Sequence, residues 1–271
     1  MKKGTQIFAI FGNPVGHSLS PAMHNAAFSE MGLDAVYVPF CVKDIEGAIR
    51  GIRALGIRGV SVTIPFKTAV MPLLDEVEEA ARIIGAVNTI ANDDGILRGF
   101  NTDWSGLVHS LEESLDIRGR TFAIIGAGGT ARAAVFGILK QGGIPVIVNR
   151  TQEKGEQLAR EFGCRFSPLA KIRDVEADCL INTTPVGMAP LENQTPMERR
   201  ESARFAWVMD VIYRPDRTRL LREAQEAGCK TINGLGMFLY QGADQLRLWT
   251  GQEPPMALMR RVVRQQLEVI L

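Results

Sequence analysis

Five apolar or β-branched residues, Thr121 to Ile125, run without a break into Gly126-Ala127-Gly128-Gly129-Thr130-Ala131. No other stretch restricts the fold as much. A strand without apolar–polar alternation belongs in a parallel sheet covered on both faces, and a parallel neighbour requires a crossover. That crossover is legible as a helix from Gly129 to about Gln141, stopped by Gly142-Gly143 and followed by the strand Pro145-Val146-Ile147-Val148. Gly126 and Gly128 permit a tight turn and close approach of an anion to the backbone, while the helix aims free N–H groups and its positive dipole end at that anion. The spacing G-x-G-x-x-A, with Ala131 in the third position, reads as a dinucleotide site. Glycine pairs also close strands for steric reasons alone, so the flanking strand and helix give the motif its weight.

The second strand ends at Asn149-Arg150-Thr151. An NAD site commonly places a carboxylate there for the ribose 2′-hydroxyl, whereas an arginine pairs with a 2′-phosphate. Arg150 therefore points to NADP, its alternative being a solvated loop cation.

With 271 residues, 46% apolar and 23% charged, the chain has room for one large or two ordinary domains. A net charge of +1 without a basic block argues against nucleic acid or an anionic membrane as the main partner. A small molecule is the expected partner. The apolar run Ile7 to Phe11 is too short for a signal peptide and no stretch is long enough to span a bilayer, so a cytoplasmic location is expected. Cys41, Cys164, Cys179 and Cys229 lie far apart and read as reduced core thiols, and His17, His24 and His109 form no ligand pattern, so no metal is expected.

Toward the N-terminus, Ile7 to Phe11 reads as a strand, and the loop Gly12 to Pro21 leads to a helix over Ala22 to Met31. Ser20 before Pro21 reads as an N-cap and N1 pair; Ser18 has no such role. The loop lacks a G-x-S-x-G elbow, which argues against a serine hydrolase. Ala35 to Phe40 is a second strand, a helix follows Asp44, and Arg58 to Ile64 is a third strand with Ser61 and Thr63 on one face. Pro65 ends it and places Lys67 at a strand's carboxyl end, where open α/β sheets build sites, although a lone lysine is also an ordinary surface group. Asp75 to Ile84 reads as an amphipathic helix, and Ala86 to Ile90 and Ile96 to Phe100 as a hairpin around Asn92 to Gly95. Asn88 is a polar residue inside an apolar strand and must find partners. Asn101-Thr102-Asp103 starts a helix bearing Leu107, Val108 and Leu111, with Thr102 or Asp103 as its cap. Further strands are expected at Cys164 to Phe166, Cys179 to Asn182, Trp207 to Val211 and Thr231 to Asn233, a helix over Glu153 to Glu161, and two closing helices.

Gly16 to Pro21, Val62 to Lys67, Ala86 to Thr89, Asn101 to Asp103, Gly126 to Ala131, Asn149 to Thr151 and Gly236 to Gln241, in that order, resemble the shikimate dehydrogenase family over nearly the whole chain. The resemblance implies an α/β protein of two domains. One is a Rossmann-like doubly wound NADP-binding domain over 104–235, and the other an α/β substrate-binding domain with a mostly parallel sheet over 1–103 and 236–271. It implies NADPH-dependent reduction of 3-dehydroshikimate to shikimate in aromatic amino-acid biosynthesis, by a monomer or homodimer. Carried over by position, Lys67 and Asp103 are the catalytic pair. Ser18 and Ser20 hold the substrate carboxylate with help from Tyr213, and Thr63, Asn88, Asp103 and Gln241 bind ring hydroxyls. Gly126, Ala127, Gly128, Gly129, Thr130 and Ala131 form the phosphate turn. Asn149, Arg150, Thr151 and Lys154 take the 2′-phosphate end, Gly234 and Met237 lie near the nicotinamide, and Val211 is a further cofactor-binding residue. The family usually has Asn where this chain has Ser61, which leaves the contact from that position open. Ketone reduction needs a proton at oxygen, and Lys67 beside a carboxylate suits that role. The rival readings are a quinate/shikimate dehydrogenase using NAD, which Arg150 opposes, and a non-catalytic NADP-binding sensor, which retention of Lys67 and Asp103 opposes.

Overall fold

The computed structural model describes residues 4–269, and it divides into two compact units. One comprises residues up to Thr102 and from Gln241 onward; the other is Asp103–Tyr240.

The first unit begins β1 Gln6–Gly12, α1 Ser20–Glu30, β2 Ala35–Cys41, α2 Ile45–Ala54, β3 Gly59–Val62, β4 Glu76–Val77, α3 Glu79–Ile84, β5 Thr89–Asp93 and β6 Ile96–Phe100. Its sheet has the order β2-β1-β3-β5-β6-β4. β1 is parallel to β2 and β3, and β4 to β6, while β5 runs antiparallel to β3 and β6. Asp94 and Gly95, with φ of 48° and 101°, turn the β5–β6 hairpin; a two-residue turn with positive φ at both positions matches the twist of its strands. Ala9 and Phe11 of β1 pack with Val60 and Val62 of β3 and with Ile49 and Ile52 of α2. On the opposite face Phe8 meets Phe28 of α1 and Trp249, with ring centroids 4.9 and 5.2 Å away.

Several local expectations change, the first being that β3 stops at Val62 and not at Ile64. Asp75 to Glu78 are not helical, because Asp75 Oδ2 accepts from Leu97 N–H (2.6 Å) and from Arg53 (2.7 Å), and Glu76–Val77 pair with Arg98–Gly99. The helix starts one residue after Glu78, whose carboxylate accepts from the Ala81 N–H at 3.2 Å. The strand expected from Ala86 starts at Thr89, so Asn88 stands just outside it.

The second unit continues with α4 Asp103–Glu112, β7 Thr121–Ile125, α5 Gly129–Lys140, β8 Ile144–Asn149, α6 Gln152–Phe162, β9 Arg165–Pro168, β10 Cys179–Asn182, α7 Arg199–Ser202, β11 Trp207–Asp210, α8 Arg219–Glu226 and β12 Lys230–Ile232. Two helices close the chain, α9 Leu235–Thr250 and α10 Met256–Val269. The second sheet is wholly parallel in the order β12-β11-β10-β7-β8-β9. The chain thus starts at the centre with β7, winds outward through β8 and β9, then returns to build the other half from β10. Strand order reverses between β7 and β10, the switch point where such sheets bind ligands. Phe122 and Ile124 pack toward α4, α5 and α6, while Ala123 and Ile125 pack toward α8. Burial on both faces accounts for the missing alternation in β7.

Cys179 and Cys229 are buried, and burial raises the half-buried Cys164 thiol to about 11. Cys41 departs from the expected core placement: it ends the edge strand β2 and is exposed. Among the described residues no helix is long and apolar enough to cross a membrane.

Candidate active site

In the second unit the glycine turn sits at the switch point. Gly126 has φ +125°, and a Cβ there would collide with the Thr183 hydroxyl, which donates to the Ile125 carbonyl at 2.7 Å. Steric packing thus explains Gly126 without any ligand. Gly128 differs: its φ of −90° suits any residue, and a Cβ there would meet no protein atom within 4 Å. The room above Gly128 suits a group that must come close to the backbone. Gly128 is also the N-cap of α5 and supplies no side-chain acceptor, so the first-turn N–H groups beside Gly129 and Thr130 have no side-chain cap. An uncapped helix start with open space over it fits a pyrophosphate. Ala131 is fully buried, as helix-on-strand packing requires.

Arg150 follows β8, the neighbour of β7, and is exposed, as is Lys154. Asn149 tightens this turn by donating to the Thr151 carbonyl at 2.8 Å, and Thr151 is the N-cap of α6. A Cβ at Gly155 would strike the Phe166 ring, so glycine lets the first turn of α6 settle against the strand ends. Val211 follows β11; Gly234 packs against the Val211 carbonyl so closely that no Cβ fits. Met237 is buried in the core that includes β7 and α5 side chains. Tyr213 is half-buried, its ring stacked on Phe238 with centroids 4.3 Å apart.

In the first unit the candidate residues gather at the carboxyl ends of β1 and β3. Thr63 N–H donates to the Phe11 carbonyl (2.9 Å), and Asn13 N–H to the Ile64 carbonyl (3.0 Å). Gly12 is needed there, because a Cβ would run into the Thr63 methyl. Phe66 N–H closes a turn onto the Thr63 carbonyl (2.9 Å), and the Lys67 carbonyl accepts from Val87 N–H (2.7 Å), which sets Lys67 beside the residue preceding Asn88. Lys67 and Thr63 are half-buried; Asn88 is 2% exposed. Asn88 Oδ1 accepts from Thr102 N–H at 2.8 Å, so the turn into Asp103 is fixed by Asn88. Asp103 follows as the first residue of the second unit and of α4, 4% exposed, where the helix dipole favours a carboxylate. Gln241 lies on α9, half-buried.

The capping role expected for Ser20 is not seen. Ser20 is already helical and only 5% exposed, and its N–H donates to the Ser18 hydroxyl at 3.2 Å. Ser18, two residues back, satisfies the helix start, because the bend at Leu19 brings its hydroxyl rather than that of Ser20 over the free N–H. Ser61 does not resolve as a ligand contact. Its hydroxyl accepts from Tyr37 and donates to Gln245, each at 2.6 Å, in the buried interior.

One polar cluster escaped sequence reasoning. Asp210 is fully buried and accepts from Thr218 Oγ1 (2.7 Å), Asn182 Nδ2 (3.1 Å) and Ile212 N–H (3.2 Å). Asn182 in turn accepts from the N–H and hydroxyl of Thr184 at 3.0 and 2.7 Å. The cluster ties the loop after β10 to the loop after β11. Burial pushes the Asp210 carboxyl up to about 6, with its hydrogen bonds opposing in part. The available signal was a polar residue closing each of two apolar strands, Asn182 after Ile181 and Asp210 after Met209.

Three family models match the chain: a shikimate dehydrogenase substrate binding domain over residues 10–90, a shikimate / quinate 5-dehydrogenase domain over 109–211, and a shikimate 5'-dehydrogenase C-terminal domain over 234–264. A shikimate dehydrogenase (NADP(+)) of Methanothermobacter thermautotrophicus is 44% identical, the match covering 97% of each protein. Its counterpart from Pyrococcus abyssi is 46% identical over 97% of this chain and 98% of that protein. The crystal structure of shikimate 5-dehydrogenase from Thermus thermophilus, in complex with NADP(H) and shikimate, superposes with a TM-score of 0.87 at 38% identity, covering 96% of this chain and 99% of that one.

Proposed function

The chain belongs to the shikimate dehydrogenase family, and we propose that residues 1–103 and 236–271 bind substrate while 104–235 bind the cofactor. It is an NADP-dependent oxidoreductase acting on a CH–OH group, and it interconverts 3-dehydroshikimate and shikimate in aromatic amino-acid biosynthesis. The observation that carries the cofactor reading is Gly128, a glycine that no protein contact demands, at an uncapped helix start. Gly126 to Ala131 hold the phosphates, Arg150 with Asn149, Thr151 and Lys154 the 2′-phosphate, and Gly234 and Met237 the nicotinamide end; Val211 is a further cofactor-binding residue. NADPH held there would supply the hydride to carbon. Lys67 supplies the proton to the C3 oxygen and takes it back in the reverse direction. Asp103 forms the catalytic pair with Lys67 and accepts from a substrate hydroxyl. Thr63, Asn88 and Gln241 bind ring hydroxyls; Ser18 and Ser20 hold the carboxylate. A cytoplasmic monomer or homodimer fits a chain of net charge +1 without a basic block. Turnover measured with shikimate and with quinate, each with NADP+ and NAD+, tests the whole assignment; preference for quinate or for NAD+ would overturn it.

Arg150→Ala should weaken NADP+ binding about ten- to a hundredfold, the loss of charge-assisted bonds worth roughly 1.5–3 kcal/mol. NAD+ binding should hardly change. Dissociation constants for both cofactors check this, and equal losses would assign Arg150 a structural role.

The Ser18–Ser20 contact separates two effects. Ser18→Ala should raise the KM for shikimate and also lower stability by about 0.5–2 kcal/mol, since the Ser20 N–H loses its acceptor. Ser20→Ala should raise KM without that loss. Steady-state kinetics with thermal melts distinguish them, and a Ser20→Ala protein with unchanged KM would remove Ser20 from the site.

A further inference from the structure

Within the first unit a file of buried hydroxyls and amides ends on Asn88. Tyr37 Oη donates to Ser61 Oγ (2.6 Å), Ser61 Oγ to Gln245 Oε1 (2.6 Å), Gln245 Nε2 to Thr89 Oγ1 (3.0 Å), and Thr89 Oγ1 to Asn88 Oδ1 (2.8 Å). Tyr37, Ser61, Gln245, Thr89 and Asn88 are each no more than 5% exposed. The file has only one polarity. An amide oxygen only accepts, so Ser61 must spend its proton on Gln245 and receive from Tyr37; an amide nitrogen only donates, so Thr89 must receive from Gln245 and direct its proton onward. Gln245 Nε2 also reaches the Asn88 carbonyl at 3.3 Å, gripping that residue at backbone and side chain.

The orientation of an asparagine amide is otherwise degenerate, since oxygen and nitrogen have the same shape. Here two donors, the Thr89 hydroxyl and the Thr102 N–H, both demand the oxygen, and the nitrogen donates to Thr102 Oγ1 at 3.0 Å. We propose that Gln245 and Thr89 are positioning residues of this enzyme: they lock the Asn88 amide so that it meets substrate through its nitrogen, as a donor to a ring oxygen. Tyr37 and Ser61 stand behind them and hold the Gln245 amide in its required orientation. This inference rests on the assignment of Asn88 to substrate binding. The buried His24 stacks on Tyr37 (centroids 4.4 Å) at the flank of the file, and neither of its ring nitrogens has a hydrogen bond of normal geometry.

The test compares Thr89→Val, which keeps shape and removes the hydroxyl, with Thr89→Ser, which keeps the hydroxyl, in the full-length enzyme. Thr89→Val and Gln245→Met should raise the KM for shikimate about three- to tenfold with kcat and the KM for NADP+ little changed, in keeping with the loss of one hydrogen bond. Thr89→Ser should return KM to the parent value, and Tyr37→Phe should give a smaller rise in the same direction. A merely structural role lowers melting temperature and leaves the KM of the folded fraction alone, so Thr89→Val and Gln245→Met proteins with unchanged shikimate KM would overturn the proposal. Asn88→Ala measured in parallel separates the two ideas. A raised KM there with none in Thr89→Val or Gln245→Met refutes only the positioning role, whereas an unchanged KM in Asn88→Ala refutes the binding assignment and the proposal with it.

Discussion

Lys67→Ala lowers kcat by about 10²–10⁴-fold, the usual range for a general acid, while the KM for shikimate moves comparatively little. The side chain leaves a backbone that is held independently of it. Thr63 accepts from Phe66, and Lys67 itself accepts from Val87, through carbonyl oxygens that the substitution does not touch. The half-buried stem adds little to the core, so the protein should remain folded and the loss should appear in the chemical step. On the assignment proposed above, Asp103→Ala should damage both kcat and KM. It should also cost some stability, since a carboxylate in the first turn of α4 interacts favourably with the helix dipole. The two losses should not add in the double variant, because residues acting as a unit share one contribution. Steady-state kinetics of both single variants and the double, after a folding check, decide the matter. Near-normal kcat with weakened binding in Lys67→Ala would reassign the lysine to holding substrate.

What the sequence disclosed followed the range of the interactions involved. The βαβ unit around Gly126 was legible because its strand, glycines and helix are contiguous, and burial on both faces leaves an unmistakable run of apolar residues. Asp44 announced α2 for the same reason, since its carboxylate accepts from Gly47 N–H only three residues on. Local signals misled where a distant partner won. Val77, Ala80, Ala81 and Ile84 have helical spacing, yet Asp75 bonds to Leu97 and Arg53, some twenty residues away in either direction, and draws the first turn into the sheet. The helix α8 was missed because its surface is built from charged and polar residues, with only Leu220, Leu221 and Ala224 buried. Chain order placed Arg150 directly after β8 and Lys67 after β3, although β3 stops at Val62, two residues short of the expected Ile64. The buried polar bonds elsewhere in each unit were not legible: that from Gln245 to Thr89, behind Asn88, spans 156 residues, and that from Asn182 to Asp210 spans 28. The proposed ligand contacts sit in short motifs, whereas the side chains hydrogen-bonded behind them come from elsewhere in the fold and leave no spacing to read.

Asp210 is where such a support should show its largest effect. Asp210→Ala leaves the Ile212 N–H and the Thr218 hydroxyl without their buried acceptor, at about 1–3 kcal/mol each. The second unit should therefore lose roughly 2–6 kcal/mol at neutral pH. Asp210→Asn keeps an acceptor and removes the charge, and should stay near the parent stability. The pH dependence has a definite sign. The folded carboxyl titrates at about 6, above its ordinary 3.8, so between those values the folded state holds more proton than the unfolded state. Raising the pH across that window weakens the second unit, by up to roughly 3 kcal/mol at about 1.4 kcal/mol per pKa unit. In the first unit His24 does the opposite: burial drives it from 6.5 to about 3, with Gln245 opposing weakly, so stability there grows as pH rises from 3 to 6.5. Because the two slopes cancel in a global melt, they should be read separately, by hydrogen exchange of β11 and α8 against α1 at pH 4 to 7, corrected for intrinsic rates. Protection in β11 and α8 should fall with rising pH in the parent and stay level in Asp210→Asn; a slope that survives that substitution would show that Asp210 is not its source.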